Sequence, residues 1–445
     1  MDHVIAARAQ MGTSLAFHIV FAALGVGLPL LVFIAEGMWL RTKRQAYYDL
    51  ARSWAKGMAI LFTVGAVSGT ILSFELGLLW PTFMRYAGSM IGLPFSYEGF
   101  AFFIEAIFIG LYLYGWDRLS PLVHWLSAVP VIISGALSAS FVTLVNAWMN
   151  MPTGFRLDNG CIVDVRPLQA MFSPPWLLEV LHTTIAAYVV TGFGAAAVCA
   201  FALLRMRAIG RKEEILVGLR ISMIVASAAV VLQWVVGDAI ARFDAGNEPW
   251  KFAAMEVVRH TGSHAPVTVG GIVGPDATRF AIVIPDGDSL LVGFNPNTVV
   301  RGLDSIAPGD RPPVARTHYS FDAMVGCASA LLLVAILWVW FGRRGAILPK
   351  RLLQAIALCG PLAVIALEAG WCTTEFGRQP WVAHGLLRTD QAVTTAPGIE
   401  VQFYVFSCVY VVLAAMCWWL LRRIGSSGSE NEELASPASI RVAQT

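Results

Sequence analysis

The stretch TEFGRQPW (residues 374–381) follows the apolar run LLQAIALCGPLAVIALEAGW (residues 352–371). That run is long enough for a membrane-spanning helix, which needs about 20 apolar residues. The glycine and the proline of the stretch are typical of a helix end and the turn after it. Glu375 and Arg378 need another reason, because a charge at membrane depth costs about 3 kcal/mol unless it is paired or used. The stretch therefore predicts a membrane helix whose end carries a paired or functional site.

The composition of the whole chain points to the same environment. Hydrophobic residues make up 57% of the chain, charged residues 13%, and the mean hydropathy is +0.66. A soluble domain carries roughly 25% charged residues. The formal net charge is only +2, and no basic face is concentrated anywhere, so we expect membrane lipid and no nucleic acid as a partner. The seven cysteines form no CxxC, CxxCH or zinc spacing.

Apolar runs of membrane-spanning length recur along the chain without a convincing internal repeat. The sequence predicts an all-α integral membrane protein, a bundle of about nine transmembrane helices. The predicted spans are residues 15–40, 57–81, 95–116, 123–148, 177–204, 215–239, 321–341, 352–372 and 401–421.

Lysine and arginine between the spans predict the orientation, because cytoplasmic loops are enriched in both. They fill the first, fifth and seventh loops and follow the last span: Arg41, Lys43, Arg44, Arg52, Lys56, Arg205, Arg207, Arg211, Lys212, Arg343, Arg344, Lys350, Arg351, Arg422 and Arg423. We therefore expect the N-terminus outside and the C-terminus in the cytoplasm.

This orientation divides the chain into four parts. They are spans one to six (1–239), an external loop (240–320), spans seven to nine (321–423) and a cytoplasmic tail (424–445). The external loop contains the strand-like RFAIVIPDG, and a loop of that length is usually functional. The polar tail is expected to be disordered.

Two histidines lie inside long apolar helices, and both are predicted near the outer face. A lone buried histidine is more often hydrogen-bonded core than a ligand, but His18 and His182 near one face favour ligation. Met324 opens span seven at the same level, and histidine with methionine is an axial pair of six-coordinate haem. His124 is expected at the membrane interface. The remaining histidines fall outside the spans, solvated or in loop contacts: His3, His260, His264, His318 and His384.

Carboxylates show a second pattern at the same face. Glu98 and Glu105 are seven residues apart, two helical turns on one helix face, and Glu368 and Glu375 repeat that spacing. Such groups must be protonated, paired or ligating. A proton path or a metal site is favoured, with a local ion pair between Glu375 and Arg378 as the alternative. Span four adds two polar positions, Ser138 and Asn146.

Five segments together resemble subunit I of the cytochrome bd ubiquinol oxidases. They are EGFAFFIEAIFIGLYLYGWDR (98–118), LVNAWMNMP (144–152), VLHTTIAAYV (180–189), GNEPWKFAAME (246–256) and EAGWCTTEFGRQPW (368–381). The resemblance implies a quinol:oxygen oxidoreductase that carries two haem b and one haem d, or a third haem b in place of haem d.

The resemblance also implies roles for single residues. His182 and Met324 are expected to ligate the low-spin haem b, and His18 and Glu375 the other two haems, in an order left open. The proton path and haem surroundings would include Glu98, Glu105, Ser138, Asn146, Glu368, Trp371, Arg378 and Trp381. Lys251 and Glu256 would bind quinol, with Glu248 beside them.

The implied enzyme is a non-pumping respiratory oxidase of the bacterial cytoplasmic (inner) membrane. Ubiquinol or menaquinol would be oxidised at the periplasmic face, and O2 reduced to water with cytoplasmic protons. Its expected partners are subunit II and, as an open alternative, a small single-span subunit. Two other interpretations stay open: a proton-coupled secondary transporter, and a haem protein that carries electrons without reducing oxygen.

Some residues depart from the family pattern. Glu248 stands where glutamine is expected, and Asp322 where a basic or amide residue is usual. Glu98 and Glu105 are one residue closer than in some members. The external loop is short, as in the cyanide-insensitive branch, some of whose members show no obvious haem d.

Overall fold

The computed structural model describes residues 3–159, 161–205, 212–343 and 348–434, and this part of the chain is mostly helical. The helices in chain order are α1 His3–Thr42, α2 Gln45–Leu79, α3 Pro81–Gly115, α4 Pro121–Leu126, α5 Ala128–Asn150, α6 Pro167–Met171, α7 Trp176–Arg205, α8 Lys212–Asn247, α9 Pro249–Met255, α10 Gly287–Gly293, α11 Val314–Arg343, α12 Lys350–Arg378, α13 Thr389–Ala392 and α14 Ile399–Leu434.

Nine helical segments of the described residues are long and apolar enough to cross a membrane, which confirms the predicted fold class. They are α1, α2, α3, the pair α4–α5, α7, α8, α11, α12 and α14. Prolines at the first position of α3, α4 and α9 suit a helix start, where the missing N–H would have no helical partner anyway.

Most of these helices are longer than the sequence predicted. Helix α1 has 40 residues, which corresponds to about 60 Å, twice a bilayer core of about 30 Å. Polar residues continue a helix beyond the membrane because propagation needs no new nucleus. For this reason α8 runs to Asn247 and α11 begins at Val314. The segment between these two helices is residues 248–313, which lies within the predicted external loop of residues 240–320 and is called the insert below.

Eight short strands form four two-stranded antiparallel sheets within the described residues. They are β1 Arg156–Asp158, β2 Cys161–Val163, β3 Val267–Val269, β4 Ile272–Val273, β5 Thr278–Arg279, β6 Ile282–Ile284, β7 Trp381–Ala383 and β8 Leu387–Arg388. In the insert, β3 pairs with β6 so that Val267 lies opposite Ile284. The stretch RFAIVIPDG thus contains strand residues, as its sequence predicted.

The long helices pack into two groups that meet where α1 contacts α7. Helices α7, α8, α11 and α12 surround the largest apolar core, and α1, α2, α3, α5 and α14 form the rest of the bundle. Small residues allow close approach, as expected between membrane helices. A Cβ added at Gly192 of α7 would lie 2.8 Å from the backbone N of Ala226 of α8.

The predicted tail differs from the structure over part of its length. We expected disorder from residue 424, but α14 continues as helix to Leu434. A helix that leaves the membrane can extend into polar sequence because adding residues to an existing helix needs no new nucleus. Residues 435–445 lie outside the described residues, as do Arg207, Arg211 and Arg344, three of the basic residues that predict the orientation.

The alternation of the spans gives the bundle two distinct ends. The loop end carries the insert, the start of α1 and the end of α12. The basic end carries the connection between α1 and α2, with Arg41, Lys43 and Arg44, and the connection between α3 and α4. Every predicted haem ligand lies toward the loop end.

Candidate haem and quinol site

His182 and Met324 lie near the loop ends of α7 and α11, within the same group of four helices. The Nδ1 atom of His182 is buried and has no hydrogen-bond partner among the described residues. A Cβ at Gly370 of α12 would lie 3.1 Å from the sulfur of Met324. An unpaired buried ring nitrogen costs free energy that metal ligation would recover. Both side chains thus suit the role of ligand.

His18 is held in one tautomer by Ser68 of α2. The Ser68 hydroxyl donates to the carbonyl of Val64 at 2.9 Å, so its oxygen accepts from Nδ1–H of His18 at 3.0 Å. The Nε2 lone pair of His18 is then free for a metal, the arrangement typical of ligating histidines. A Cβ at Gly69 would lie only 2.8 Å from Cε1 of His18, so glycine gives the ring its space.

Glu375 and Arg378 of the opening stretch belong to a buried polar network. Arg378, 1% exposed, donates to Glu375 at 2.7 Å and to the side-chain oxygens of Asn146 at 2.9 Å and Asn150 at 3.2 Å. The two asparagines donate in turn to Glu179, both at 2.9 Å. The local ion pair left open by the sequence is therefore present, within a network that links α12, α5 and α7.

Glu179 and Asn150 of this network were not among the predicted site residues. Glu179 precedes His182 by three residues, one helical turn, and so ties the network to the candidate haem ligand. The sequence did carry a signal, a carboxylate within the apolar helix of His182. Arg378 can hold two planar acceptors through its guanidinium fork, which lysine cannot do.

Glu98 and Glu105 lie between α3 and α5. Ser138 donates to Glu98 at 3.4 Å, and a Cβ at Gly135 would lie 3.2 Å from a carboxyl oxygen of Glu105, which is 6% exposed. Among the described residues, no hydrogen bond or ion pair joins these two carboxylates to Glu375. The predicted carboxylates therefore occupy two separate places.

Two further predicted positions, Glu368 and Trp371, and one carboxylate that was not predicted complete the surroundings. Glu368 of α12 is partly buried, and one of its oxygens has no partner among the described side chains. Trp371 packs against the largest core. Glu75 of α2 was not predicted; it is 1% exposed and accepts from Gln10 of α1 at 2.9 Å. It follows Ser68 by two helical turns and so lies on the same face of α2.

Lys251 of α9 faces the end of α12. Its ammonium forms ion pairs with Glu248 and, at 3.8 Å, with Asp244. Burial alone would lower the pKa of Lys251, but the carboxylates of Asp244, Glu248 and Glu179 raise it above its ordinary value. A Cβ at Gly377 would lie 2.6 Å from Cγ of Lys251, so only glycine lets α9 pack on the GRQPW stretch.

Glu256 follows the other end of α9 and faces the insert and α11. Burial raises its pKa well above the ordinary value, and the charges of Asp288 and Asp322 raise it further. Both carboxyl oxygens of Asp288 lack hydrogen-bond partners among the described residues. The structure therefore places the predicted quinol residues Lys251 and Glu256 at opposite ends of one short helix, each beside other carboxylates.

Asp322, one of the departures from the family pattern, is engaged in tying α11 to the insert. It accepts from the backbone N of Gly270 at 2.6 Å and pairs with His318 at 3.2 Å. His318 is fully buried and donates through Nδ1 to the carbonyl of Met255 at 2.7 Å. Asp322 thus helps to position the segment that carries Met324.

Trp381 contacts Arg388, whose guanidinium lies 4.6 Å from the centre of the indole ring. The sequence had left open whether Trp381 packs on the site or lies in the interfacial belt. Its neighbour His384 stacks on Trp250 of α9 at 3.7 Å, and burial lowers the pKa of His384 to about 4. The turn after GRQPW therefore covers α9.

The candidate ligands stand singly rather than as a cluster. No three His, Cys, Asp or Glu side chains of the described residues come together as a site for a bare metal ion. Haem iron takes four ligands from its macrocycle and only one or two from the protein. The unpaired Nδ1 of His182, the Nε2 of His18, and the close packing of His18 on Gly69 and of Met324 on Gly370 fit such a group.

Comparison with known proteins agrees with this arrangement. Residues 6–429 match the family model of cytochrome bd terminal oxidase subunit I. A Bacillus subtilis protein assigned as subunit I of a cytochrome bd menaquinol oxidase is 36% identical over 95% of this chain and 96% of its own. Subunit 1 of the B. subtilis cytochrome bd ubiquinol oxidase is 30% identical over 97% of this chain and 95% of its own.

A solved structure shows the same fold. The bd oxidase from Geobacillus thermodenitrificans superimposes with a TM-score of 0.91 at 37% identity, covering 96% of this chain and 99% of that one. The family works as a terminal quinol oxidase in the bacterial membrane, with haem cofactors and normally with subunit II. The chain belongs to the cytochrome bd terminal oxidase subunit I family and is a membrane-spanning subunit of a quinol oxidase.

Proposed function

We propose that this subunit oxidises quinol at the outer face and reduces O2 to water with protons from the cytoplasm. The observation that carries the proposal is the contact between Gly377 and Lys251. It joins the segment of the candidate quinol site to the helix of Glu375, so that electron donor and electron acceptor would lie at one end of the bundle.

The haem complement proposed is two haem b and one haem d, with a third haem b as the alternative to haem d. His182 and Met324 would hold the low-spin haem b, and His18 and Glu375 the other two haems. Bound haem would supply the redox chemistry that carries electrons from quinol to oxygen. Arg378, with its contacts to Glu375, Asn146 and Asn150, would keep the Glu375 side chain in place and balance its charge.

Glu256 suits the role of base for quinol oxidation. A carboxylate with a raised pKa is a stronger base and holds a released proton more tightly than an ordinary glutamate. Lys251 stays positively charged among its carboxylates and can donate to a quinone oxygen. Because the two lie at opposite ends of α9, each would act on a different part of the quinol, and Glu248 would hold Lys251 in position.

Sidedness follows from the basic residues at the end opposite to the insert. The N-terminus and the insert would be periplasmic and the C-terminus cytoplasmic. Glu98, Glu105 and Ser138 lie where a proton could pass from the cytoplasm toward the loop end. Subunit II, and a small single-span subunit if one is present, would cover the lipid-facing helices. The reaction would separate charge across the membrane without pumping.

Quinol-driven oxygen consumption tests the proposal directly. Membranes that contain the chain and its co-expressed subunit II would be supplied with ubiquinol or menaquinol analogues, since the named relatives differ in their quinol. We expect oxygen uptake, and a loss of about 100-fold in kcat for Glu256→Gln, the usual contribution of a general base. The matched control Asp276→Asn, an exposed carboxylate of the insert, should leave the rate unchanged.

Two results would contradict the proposal. Haem spectra without oxygen uptake would favour an electron carrier. Assembled protein without haem would favour the transporter.

A further inference from the structure

A buried polar group lies at the basic end, far from every predicted ligand. It consists of Glu36 of α1, Tyr112 of α3 and His124 of α4, called the Glu36 group here. The carboxyl of Glu36 accepts from the Tyr112 hydroxyl at 2.5 Å and contacts Nδ1 of His124 at 2.7 Å. Their exposed fractions are 0%, 0% and 2%. His124 was expected at the membrane interface, and its contact with Glu36 explains why it is buried instead.

The hydrogen bonds fix where the protons of this group can be. Nε2 of His124 lies 2.8 Å from the carbonyl oxygen of Tyr112, which only accepts, so Nε2 carries a proton. One further proton lies in the short bond between Nδ1 and Glu36, on either partner. The pair is neutral overall in both arrangements, so a proton can shift within it without leaving a net buried charge.

Stability alone does not explain such a group. A buried ion pair contributes little to folding, and replacement by well-packed apolar residues is often neutral or stabilising. The group borders an apolar core formed by residues of α1, α2, α3, α5, α8 and α14. A buried carboxylate beside a histidine in a membrane helix is therefore a candidate for a function.

A cavity connects the Glu36 group to the basic end. Its volume is about 180 Å³, and its walls include Glu36, His124, Trp39, Gln45, Tyr48 and Trp116. Gln45 is exposed at the turn between α1 and α2, so the cavity reaches the surface there. A water occupies roughly 30 Å³ of liquid, so the cavity has room for several waters beside two ionisable side chains.

The position of Tyr112 on α3 links the group to the proposed proton path. Glu98, Glu105 and Tyr112 are spaced by seven residues each, so they lie on one helix face at intervals of about 10 Å. Tyr112 is the member nearest the basic end, and Glu98 is nearest the loop end. A single face of α3 thus leads from the cavity to the proposed proton-path carboxylates.

We propose that the Glu36 group is the proton entry site of this subunit, which takes protons from water in the basic-end cavity and passes them along α3 to Glu105. This inference rests on the proposed oxidase function. A proton from the cavity binds to the Glu36 carboxyl. The Tyr112 hydroxyl, which donates to Glu36 at rest, first turns to donate toward Glu105. It then releases its proton in that direction while its oxygen accepts the proton of the Glu36 carboxyl, so one proton enters for each that leaves. This step requires a chain of water across the two helical turns, about 10 Å, that separate Tyr112 from Glu105.

Glu36→Gln and Tyr112→Phe test the entry site in membranes that contain subunit II. We expect quinol-driven oxygen uptake to fall roughly tenfold or more in Glu36→Gln and less in Tyr112→Phe. The solvent isotope effect, the ratio of rates in H2O and D2O, should rise in both because proton uptake becomes rate-limiting. Reduced-minus-oxidised spectra should stay unchanged, which a purely structural role of Glu36 does not predict.

Tyr47→Phe is the matched control, since it removes a hydroxyl from another buried tyrosine of the same core. It should change neither the rate nor the isotope effect. Normal spectra with a wild-type rate and isotope effect in Glu36→Gln would overturn the entry site. If Glu36→Gln does not assemble, Tyr112→Phe decides alone, because it removes one hydroxyl and keeps the ring. A wild-type enzyme without oxygen uptake would instead contradict the proposed function.

Discussion

The loop end and the basic end of the bundle both bury ionisable side chains, but they satisfy them differently. At the loop end, His182 Nδ1, one oxygen of Glu368 and both oxygens of Asp288 lack partners among the described residues. At the basic end, the ring nitrogens of His124 and both carboxyl oxygens of Glu36 are bonded within the chain. Unpaired buried polar atoms cost about 1–3 kcal/mol each. The difference indicates that the loop end is built to receive other groups, whereas the side chains of the Glu36 group are satisfied within this chain.

The largest expected effect comes from removing a ligand at the loop end. His182→Ala should abolish quinol oxidation and remove the low-spin haem b signal from the reduced-minus-oxidised spectrum. The control is His264→Ala, an exposed histidine of the insert that pairs with Asp286. A low-spin signal that survives in assembled His182→Ala protein would show that another residue holds this haem.

The buried network should be the next most sensitive part. Arg378→Leu leaves the partly exposed Glu375 and two buried asparagines without their donor, and each buried oxygen left unsatisfied costs about 1–3 kcal/mol. We expect a large drop in the temperature at which the haem absorbance is lost in detergent. Arg388→Leu breaks a partly exposed pair with Asp310 and should cost less than about 1 kcal/mol. Equal drops in both variants would contradict the importance of the network.

A smaller effect is expected when a methyl group is added beside the His18 ring. In Gly69→Ala the new methyl group would lie 2.8 Å from the His18 ring, so the ring or α2 must move, at a cost of about 1–3 kcal/mol. Gly65 lies one turn away on the same helix, and its Cβ would meet Phe21 at an ordinary 3.9 Å. Gly65→Ala should therefore be neutral or slightly stabilising. Haem content and thermal stability of the two variants measure the difference.

The smallest expected effect is a shift in a pH profile. Glu256 accepts a proton only when ionised, so kcat/KM for quinol should fall as pH falls through its raised pKa. Asp288→Asn removes a negative charge that raises this pKa. The acid limb of the profile should then move to lower pH by about one unit. Asp276→Asn should leave it in place, and an acid limb that moves to higher pH would contradict the assignment.

Sequence reasoning predicted the nine spans because hydropathy and length depend on local composition. It also selected His18 and His182, since polar residues are conspicuous within apolar helices. It missed the burial of Glu36, Glu75 and Glu179, although each lies in an apolar helix. Their partners Tyr112, Gln10 and Asn150 come from other helices, and no local pattern states which helices are neighbours.

The insert shows the same limit in another form. The sequence suggested a pair, Lys251 and Glu256, but the short helix α9 directs them to different neighbours. Lys251 packs on Gly377, while Glu256 lies among the charges of Asp288 and Asp322. The sequence shows how far apart Lys251 and Glu256 lie along the helix. It does not show which elements each of them contacts, because those contacts depend on how α9 packs between α11 and α12.

A reduced-minus-oxidised absorption spectrum of the wild-type subunit, assembled with subunit II, tests the central claim most directly. If the loop end holds haem as proposed, the spectrum shows haem b bands, and a far-red chlorin band decides between haem d and a third haem b. A featureless spectrum from correctly assembled protein would contradict the assignment of His18, His182, Met324 and Glu375 as ligands.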